Sequence, residues 1–495
     1  MKFKNTYFFL LMFTLMLTSC KKFLEENSQD LSYANSAADL SELLVGEGYL
    51  GLVEGNSYSM VHLMDDDSEE NVMGSGSGNP LGTYEGFHLW AQKPFIKDGV
   101  PVTDLTWKDI YHRIAVINTV YEEVERFKTS DPEGYRKVKG ESAFLRAGYY
   151  FALVNLYAKP FSQVTAETDL GVPLKLTNYI EDKKYTRATV AEVYIQIVAD
   201  LELAATNLSG IQQPTVYRAN EAAAHAMLGR VYLFTGKWDQ ALTEYNKVIN
   251  SAHSLLNLNS YTNIGSFTYA GSPETIFSQG GNFPNNIFYP YSNSYKVAAS
   301  LRESYTQGDL RPIFFFIEQM NWQDGTTFYN VNKLASGSIG SVSSEFLIRL
   351  PEVYLGKAEA QAMLDQPADA ITTLQNLRRT RFKDGNAGSI NLSGEALVNF
   401  IRNERRLELC FEGFRWFDLR RYAVSSKYPV SKEILHKKYA YSTVSRKVEY
   451  VGTYRLGTYL EENGGGYVLP LPDAELTINN GTLINNERPL RQIMP

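Results

Sequence analysis

The stretch Leu228-Gly229-Arg230-Val231-Tyr232-Leu233-Phe234-Thr235-Gly236-Lys237-Trp238-Asp239-Gln240-Ala241 decides the fold. It reads as the end of one helix, a glycine stop and the start of a second helix. Ala222, Ala223, Ala226, Gly229 and Ala241 are small enough to let the two helices approach closely. Tyr232, Trp238 and Tyr245 are placed to fill the seam between them. Gly236 is the residue type that most readily closes a helix.

Leu-Gly-x-x-Tyr followed by Gly-Lys-Trp-Asp-Gln-Ala matches the two helices of a tetratricopeptide repeat. A degenerate copy spans 351–378. Pro351 suits a first helical turn, Ala358, Ala360 and Ala362 are the small positions, and Asp365-Gln366-Pro367 is the turn. Ala370, Leu374 and Leu377 then face back. Such pairs cannot bury their apolar faces alone, so they stack.

Three more helices show a 3.6-residue period. One starts near Trp107 and carries Ile110, Tyr111, Ile114, Ile117, Val120, Tyr121 and Val124, with Thr106 as its expected N-cap. Residues 137–157 repeat the theme through Ala143, Phe144, Ala147, Tyr150, Phe151 and Val154. Thr189-Val190-Ala191-Glu192 is a capping box opening a helix through Leu208. By contrast, 48–100 and 252–345 lack a sustained period and are rich in Asn, Ser, Gly and aromatics. Long irregular segments of this kind in a compact domain are usually functional. The tail, 423–495, reads as irregular with short extended runs. The fold class is therefore mostly α: degenerate tetratricopeptide pairs as scaffold, with loop-rich insertions.

Composition bounds the function. The 495 residues are 44% apolar and 21% charged, which excludes a disordered chain, a collagen and a multi-span membrane protein. Lys and Arg number 48 against 55 Asp and Glu, leaving −7, so a general nucleic-acid binder is disfavoured. Six histidines are scattered and there are two cysteines; phosphate loops, H-E-x-x-H and G-x-S-x-G are absent. No metal, cofactor or catalytic residue is expected. Aromatics reach 13%, with 33 tyrosines. They fit an aromatic core, or a surface offering flat platforms to a ligand.

The N-terminus reads as an address. Lys2 and Lys4 precede the apolar run Tyr7–Leu17, too short to span a bilayer and right for a signal peptide. Leu17-Thr18-Ser19-Cys20 looks like a bacterial lipobox, which implies cleavage after Ser19 and lipidation of Cys20. Residues 1–19 are then the signal peptide and 20–495 one mature domain, with a helix-repeat part over 20–250 and a loop-rich part over 251–495. Cys410, in an apolar stretch, is expected to be a small buried hydrophobe.

The densest charge cluster joins Glu404, Arg405, Arg406, Glu408, Glu412, Arg415, Asp418, Arg420 and Arg421. A glycosidase would need two carboxylates here, one with a raised pKa. Each acid instead has an Arg close by in sequence, which keeps it ionised. A partly buried Arg–carboxylate network tying helix 395–411 to the stack is expected. Asp65-Asp66-Asp67-Ser68-Glu69-Glu70 reads as a solvated acidic loop, with oxygen ligation of calcium as the alternative.

Several blocks, in order, resemble the SusD/RagB family of outer-membrane nutrient-binding lipoproteins. They are Cys20-Lys21-Lys22-Phe23-Leu24, the Trp107-Lys108-Asp109-Ile110-Tyr111 helix with Asn118, and Glu141 through Ala147 running to Leu156-Tyr157. Gly171-Val172-Pro173-Leu174, Arg187-Ala188-Thr189-Val190, the helix from Leu350 to Ala360, Glu404 through Leu419 and Leu469-Pro470-Leu471-Pro472 follow. Ala158 departs from the family's glycine, and the tail from Leu490 to Pro495 departs from its usual ending.

The resemblance implies a surface-exposed, lipid-anchored outer-membrane protein. It would capture a glycan or oligosaccharide and hand it to a SusC-like TonB-dependent transporter, without chemistry. A peptide-binding relative and a tetratricopeptide-type interaction scaffold are the alternatives. Sugars stack on aromatic rings, and the irregular segments are where such platforms belong. The candidates are Tyr84, His88 and Trp90, then Phe283, Asn285, Tyr289, Tyr291 and Tyr295, and Trp322. Trp107, Trp238 and Trp416 lie on helical stripes and are expected in the core.

Overall fold

The computed structural model describes residues 34–51, 58–73, 79–262, 266–282, 287–288, 290–321, 325–335 and 340–495. Cys20 lies outside them. Nine longer helices form the scaffold: α1 Leu105–Glu123, α2 Pro132–Tyr157, α3 Val190–Leu208, α4 Glu221–Phe234, α5 Trp238–Ile249, α6 Leu350–Met363, α7 Pro367–Arg378, α8 Gly394–Leu409 and α9 Arg415–Ala423.

Several starts have a local cause. Asp104, not Thr106, caps α1, its Oδ1 accepting from the Trp107 amide at 3.2 Å. Its other oxygen takes the Tyr157 hydroxyl at 2.5 Å, so the cap also ties α1 to the end of α2. Asp131 followed by Pro132 starts α2 a turn before the apolar period shows itself. The Thr189–Glu192 capping box opens α3 as expected, with Glu192 N donating to Thr189 Oγ1 at 3.1 Å. From Val138 onward α2 is buried on nearly all sides and serves as the central helix.

Helices α4 and α5 form one antiparallel pair, α6 and α7 the other, and α6 packs on α4, α5 and α8. The contact is unusually close at one point. The Tyr245 ring lies between Gly229 of α4 and Gly356 of α6. A Cβ at Gly229 would meet the ring at 2.5 Å, and one at Gly356 would do the same at 2.5 Å. Gly236 turns the chain at φ +72°. Trp107 and Trp416 are core residues, whereas Trp238 is only half-buried at the edge of two apolar clusters.

Among the described residues ten strands pair as five antiparallel ribbons. They are β1 Ser68–Asn71 with β5 Ser294–Val297, β2 Ile96–Lys97 with β3 Val100–Pro101, and β4 Thr275–Ser278 with β8 Leu347–Arg349. The others are β6 Phe316–Met320 with β7 Thr327–Val331, and β9 Ile434–Ser442 with β10 Lys447–Leu456. The last is a long hairpin where the sequence suggests only short extended runs. A second apolar cluster lies under the loop-rich segments, built from Leu63, Phe267, Phe288, Tyr295, Phe315, Phe411 and others.

A buried charge seam binds this layer to the helices. Strand β8 runs straight into α6, which places Arg349 at the junction. Its guanidinium reaches Glu412 at 2.7 Å, Glu408 at 3.0 Å and Glu274 at 3.2 Å. Arg381 reaches Glu274 at 2.7 Å and Glu408 at 3.0 Å. Arg311 reaches Glu404 at 2.5 Å and Asp309 at 2.6 Å. Arg405 and Arg421 meet Asp418, while Arg402 and Arg421 meet Glu359. The network is buried outright rather than partly. Cys410 beside it is buried, with its thiol pushed up to about 11 by burial.

Candidate ligand-binding face

Segments far apart in sequence are knitted together around the second apolar cluster. Met73 N donates to Asn293 Oδ1 at 2.6 Å, and Leu81 N to Asn293 O at 3.3 Å. Asn282 Nδ2 donates to Ala335 O at 3.1 Å, Asn330 Nδ2 to Phe288 O at 2.7 Å, and Ala270 N to Gly340 O at 3.0 Å. The two irregular regions of the sequence, 48–100 and 252–345, therefore meet in one surface layer.

Beneath that layer, β1 and β5 pair with Glu70 opposite Tyr295. Lys438 of β9 bridges Glu70 at 3.0 Å and Glu85 at 2.7 Å, and the Tyr439 amide donates to Glu70 at 3.0 Å. The hairpin is thereby docked on the insert.

The chain from Leu63 to Asp67 is held equally firmly. Asp66 receives Arg415 at 2.7 Å, Arg406 at 3.2 Å and Lys432; Asp67 receives Arg406 at 2.6 Å. Burial opposes ionisation of Asp66, but Arg415 and Arg406 hold it well below the usual carboxylate range. Burial, with Asp67 and Asp66 nearby, pushes Asp65 well above it. Asp65 and Asp67 are buried. The acidic run is thus an ion-paired clasp, which corrects the expectation of a solvated loop. Among the described residues no group of three or more His, Cys, Asp or Glu could hold a metal ion.

The predicted platform residues divide. Trp90, His88 and Tyr295 are all fully enclosed, at 0% exposure. His436 lies flat between two of them, 3.8 Å from the His88 ring and 4.2 Å from Trp90. Trp90 Nε1 donates to Met64 O at 2.9 Å, and His88 meets Tyr295 edge-on at 4.9 Å. These three rings present no face to a ligand; they lock the short helices Val61–Met64 and Pro80–His88 to the hairpin. Tyr84 is half-buried and Tyr291 is 60% exposed. Phe283, Asn285, Tyr289 and Trp322 lie outside the described residues.

Three aromatic residues that the sequence reading passed over flank this region. Tyr439 and Tyr450 pair edge-on across the hairpin at 6.0 Å, and Tyr441 packs on the second cluster. The alternation Lys437-Lys438-Tyr439-Ala440-Tyr441 is the signal that marks Tyr439 and Tyr441, a half-buried strand with aromatics on one face. Arg302 stacks over Tyr329 at 3.4 Å, adding a cation to the same loop-rich half.

Glu408, Glu412 and Glu359 in the buried seam are held ionised by their arginines. Burial opposes ionisation, yet Arg381 and Arg349 hold Glu408 well below its ordinary value. Arg421 likewise brings Glu359 down to about 2 against burial. A general acid at neutral pH needs the reverse.

Two family models match the chain. One, described as "Starch-binding associating with outer membrane", matches residues 22–233, and the SusD family model matches 273–488. SusD-like protein P25 of Formosa agariphila is 24% identical over 82% of this chain and 87% of its own length. SusD-like protein P38 of the same organism is 26% identical over 64% of this chain and 71% of its own. A SusD superfamily protein from Bacteroides thetaiotaomicron superposes with a TM-score of 0.71 at 20% identity, covering 92% of this chain and 100% of that one. A SusD-like carbohydrate binding protein from Bacteroides vulgatus gives 0.67 at 20% identity, covering 92% and 98%.

Proposed function

The chain belongs to the SusD/RagB family, and from that premise we propose that it is a glycan-capturing protein of the cell surface. It would be anchored to the outer membrane through Cys20 and pass its ligand to a SusC-like TonB-dependent transporter. Binding, not chemistry, is its task. The observation that carries this reading is the division of labour in the fold. Helix pairs and buried ion pairs satisfy one another, while two long inserts converge in a layer with Tyr291 exposed at its edge. Aromatic platforms on a rigid support suit stacking against sugar rings, whose ordering entropy is lost on binding whatever holds them. Tyr291 and Tyr84, with Phe283, Asn285, Tyr289 and Trp322, are the proposed contacts.

The test is calorimetric titration of the lipid-free mature chain against panels of polysaccharides and oligopeptides. A Tyr291→Ala, Trp322→Ala double variant runs in parallel. Saturable glycan binding that weakens at least tenfold in the variant supports the proposal. Peptide binding with silent glycans contradicts it.

A further inference from the structure

Buried arginines in this protein follow a rule, and one breaks it. Most bond to a carboxylate, as Arg146 does to Asp200 at 2.6 Å and Arg230 to Glu352 at 2.6 Å. Arg187 and Arg420 take backbone carbonyls instead. Arg187 donates to Tyr157 O at 2.9 Å, Gly171 O at 2.7 Å and Leu170 O at 2.8 Å, and Arg420 donates to Asn155 O and Ala158 O. Both thus serve the carbonyls left open where α2 ends.

Arg488 has neither. It is 4% exposed, and its Nε and Nη1 are buried with no hydrogen-bond partner. Its Nη2 has only Gly466 O, at a marginal 3.5 Å. The nearest acid, Glu462, is already taken by Arg491 through bonds of 2.7 and 2.8 Å. An unpaired guanidinium in the interior is costly, and the cost falls when an anion joins it.

Arg488 lines a cleft of about 530 Å³ that also has Lys159, Arg187, Asn463, Asn485 and Asn486 in its walls. Three acids share the walls. Glu462 is the one held by Arg491, Asp169 stands 3.6 Å from Lys159, and Glu487 is exposed at the rim. Asn485 is exposed, and its Oδ1 accepts from Leu471 N and Asn486 N, which leaves its Nδ2 to a ligand. None of these residues is among the aromatic loop contacts proposed above.

We propose that this cleft is a second binding site, specific for an oxyanion on a sugar (a uronic-acid carboxylate or a sulfate ester), with Arg488 as its counter-ion and the Asn485 amide at its mouth. The sugar rests on the glycan reading above; the anion requirement does not. Burial, with Arg491 alongside, lowers Arg488 to about 9, which leaves it charged at neutral pH.

The test is thermal unfolding of the mature chain in sodium sulfate, sodium glucuronate, sodium chloride and glucose, the salts at equal ionic strength. The wild type should show a saturable rise in Tm with sulfate, glucuronate or both, and none with glucose. The anion that acts identifies the ester or the uronate as the ligand group. Arg488→Met should abolish the rise. Asn485→Asp leaves the core untouched and keeps both acceptor bonds, so it tests the site even where Arg488→Met does not fold. It should weaken the response at least tenfold. A rise that is linear in sulfate and persists in Asn485→Asp is general salting-out and overturns the proposal. So does no rise with either anion. A saturable anion effect with no polysaccharide of the panel bound would leave this site standing and the glycan-capture reading refuted.

Discussion

Trp90 shows how one residue can be conspicuous in a sequence and still be misplaced by it. It has a left-handed φ of 50°, an uncommon conformation for a bulky side chain. The conformation is held because the ring stacks on His436 and its Nε1 donates to Met64 O. Trp90→Ala should therefore lower unfolding stability by about 3–5 kcal/mol, read by urea denaturation. Glycan affinity of the folded fraction should change little.

His436 adds a pH dependence. Burial lowers it to about 4, against about 6.5 when unfolded. Between those values the unfolded chain takes up a proton that the folded chain refuses. Stability is thus complete above about pH 6.5 and falls, by on the order of 3 kcal/mol, as pH drops toward 4. His436→Gln should flatten that decline; an unchanged slope would contradict the assignment. The sequence showed that this region is rich in aromatic residues. It could not show which rings turn inward, because the partners of Trp90 come from the Val61–Met64 helix and from β9.

At the scale of elements, local chemistry was the most legible. The Thr189 capping box, the Gly236 turn and the small positions of both helix pairs are where the residue types put them. The α1 cap was misread because Thr106 and Asp104 are both good caps, and the choice depends on Tyr157 from α2. The β9–β10 hairpin is longer than the short extended runs expected there, because a bulge between Tyr450 and Gly452 breaks the alternation of β10.

The Tyr245 wedge gives a sharp test of the close packing. Its hydroxyl is buried without a partner, so Tyr245→Phe should be neutral or slightly stabilising. Gly356→Ala drives a Cβ into the ring and should cost about 1–3 kcal/mol by the same denaturation measurement. In the charge seam, Glu408→Gln removes the carboxylate that Arg381 and Arg349 share and leaves excess positive charge buried there, so a loss of about 3–5 kcal/mol is expected. The charged block at 404–421 is legible as structural because every acid lies close to an arginine. Its depth of burial is not, since Arg311, Arg349 and Arg381 come from other parts of the chain.

Across the whole molecule, the arrangement is a stack of helices carrying a knitted layer of inserts. No helix among the described residues is long and apolar enough to cross a membrane. The central claim is the proposal that the aromatic contacts of the insert layer carry glycan capture. The most direct measurement is the affinity of the wild type and of Tyr291→Ala, Trp322→Ala for whichever polysaccharide of the panel binds, with urea midpoints taken on the same samples. The account predicts at least a tenfold loss of affinity with an unchanged midpoint. Unaltered glycan affinity in a correctly folded variant would contradict it and move the binding site elsewhere on the molecule.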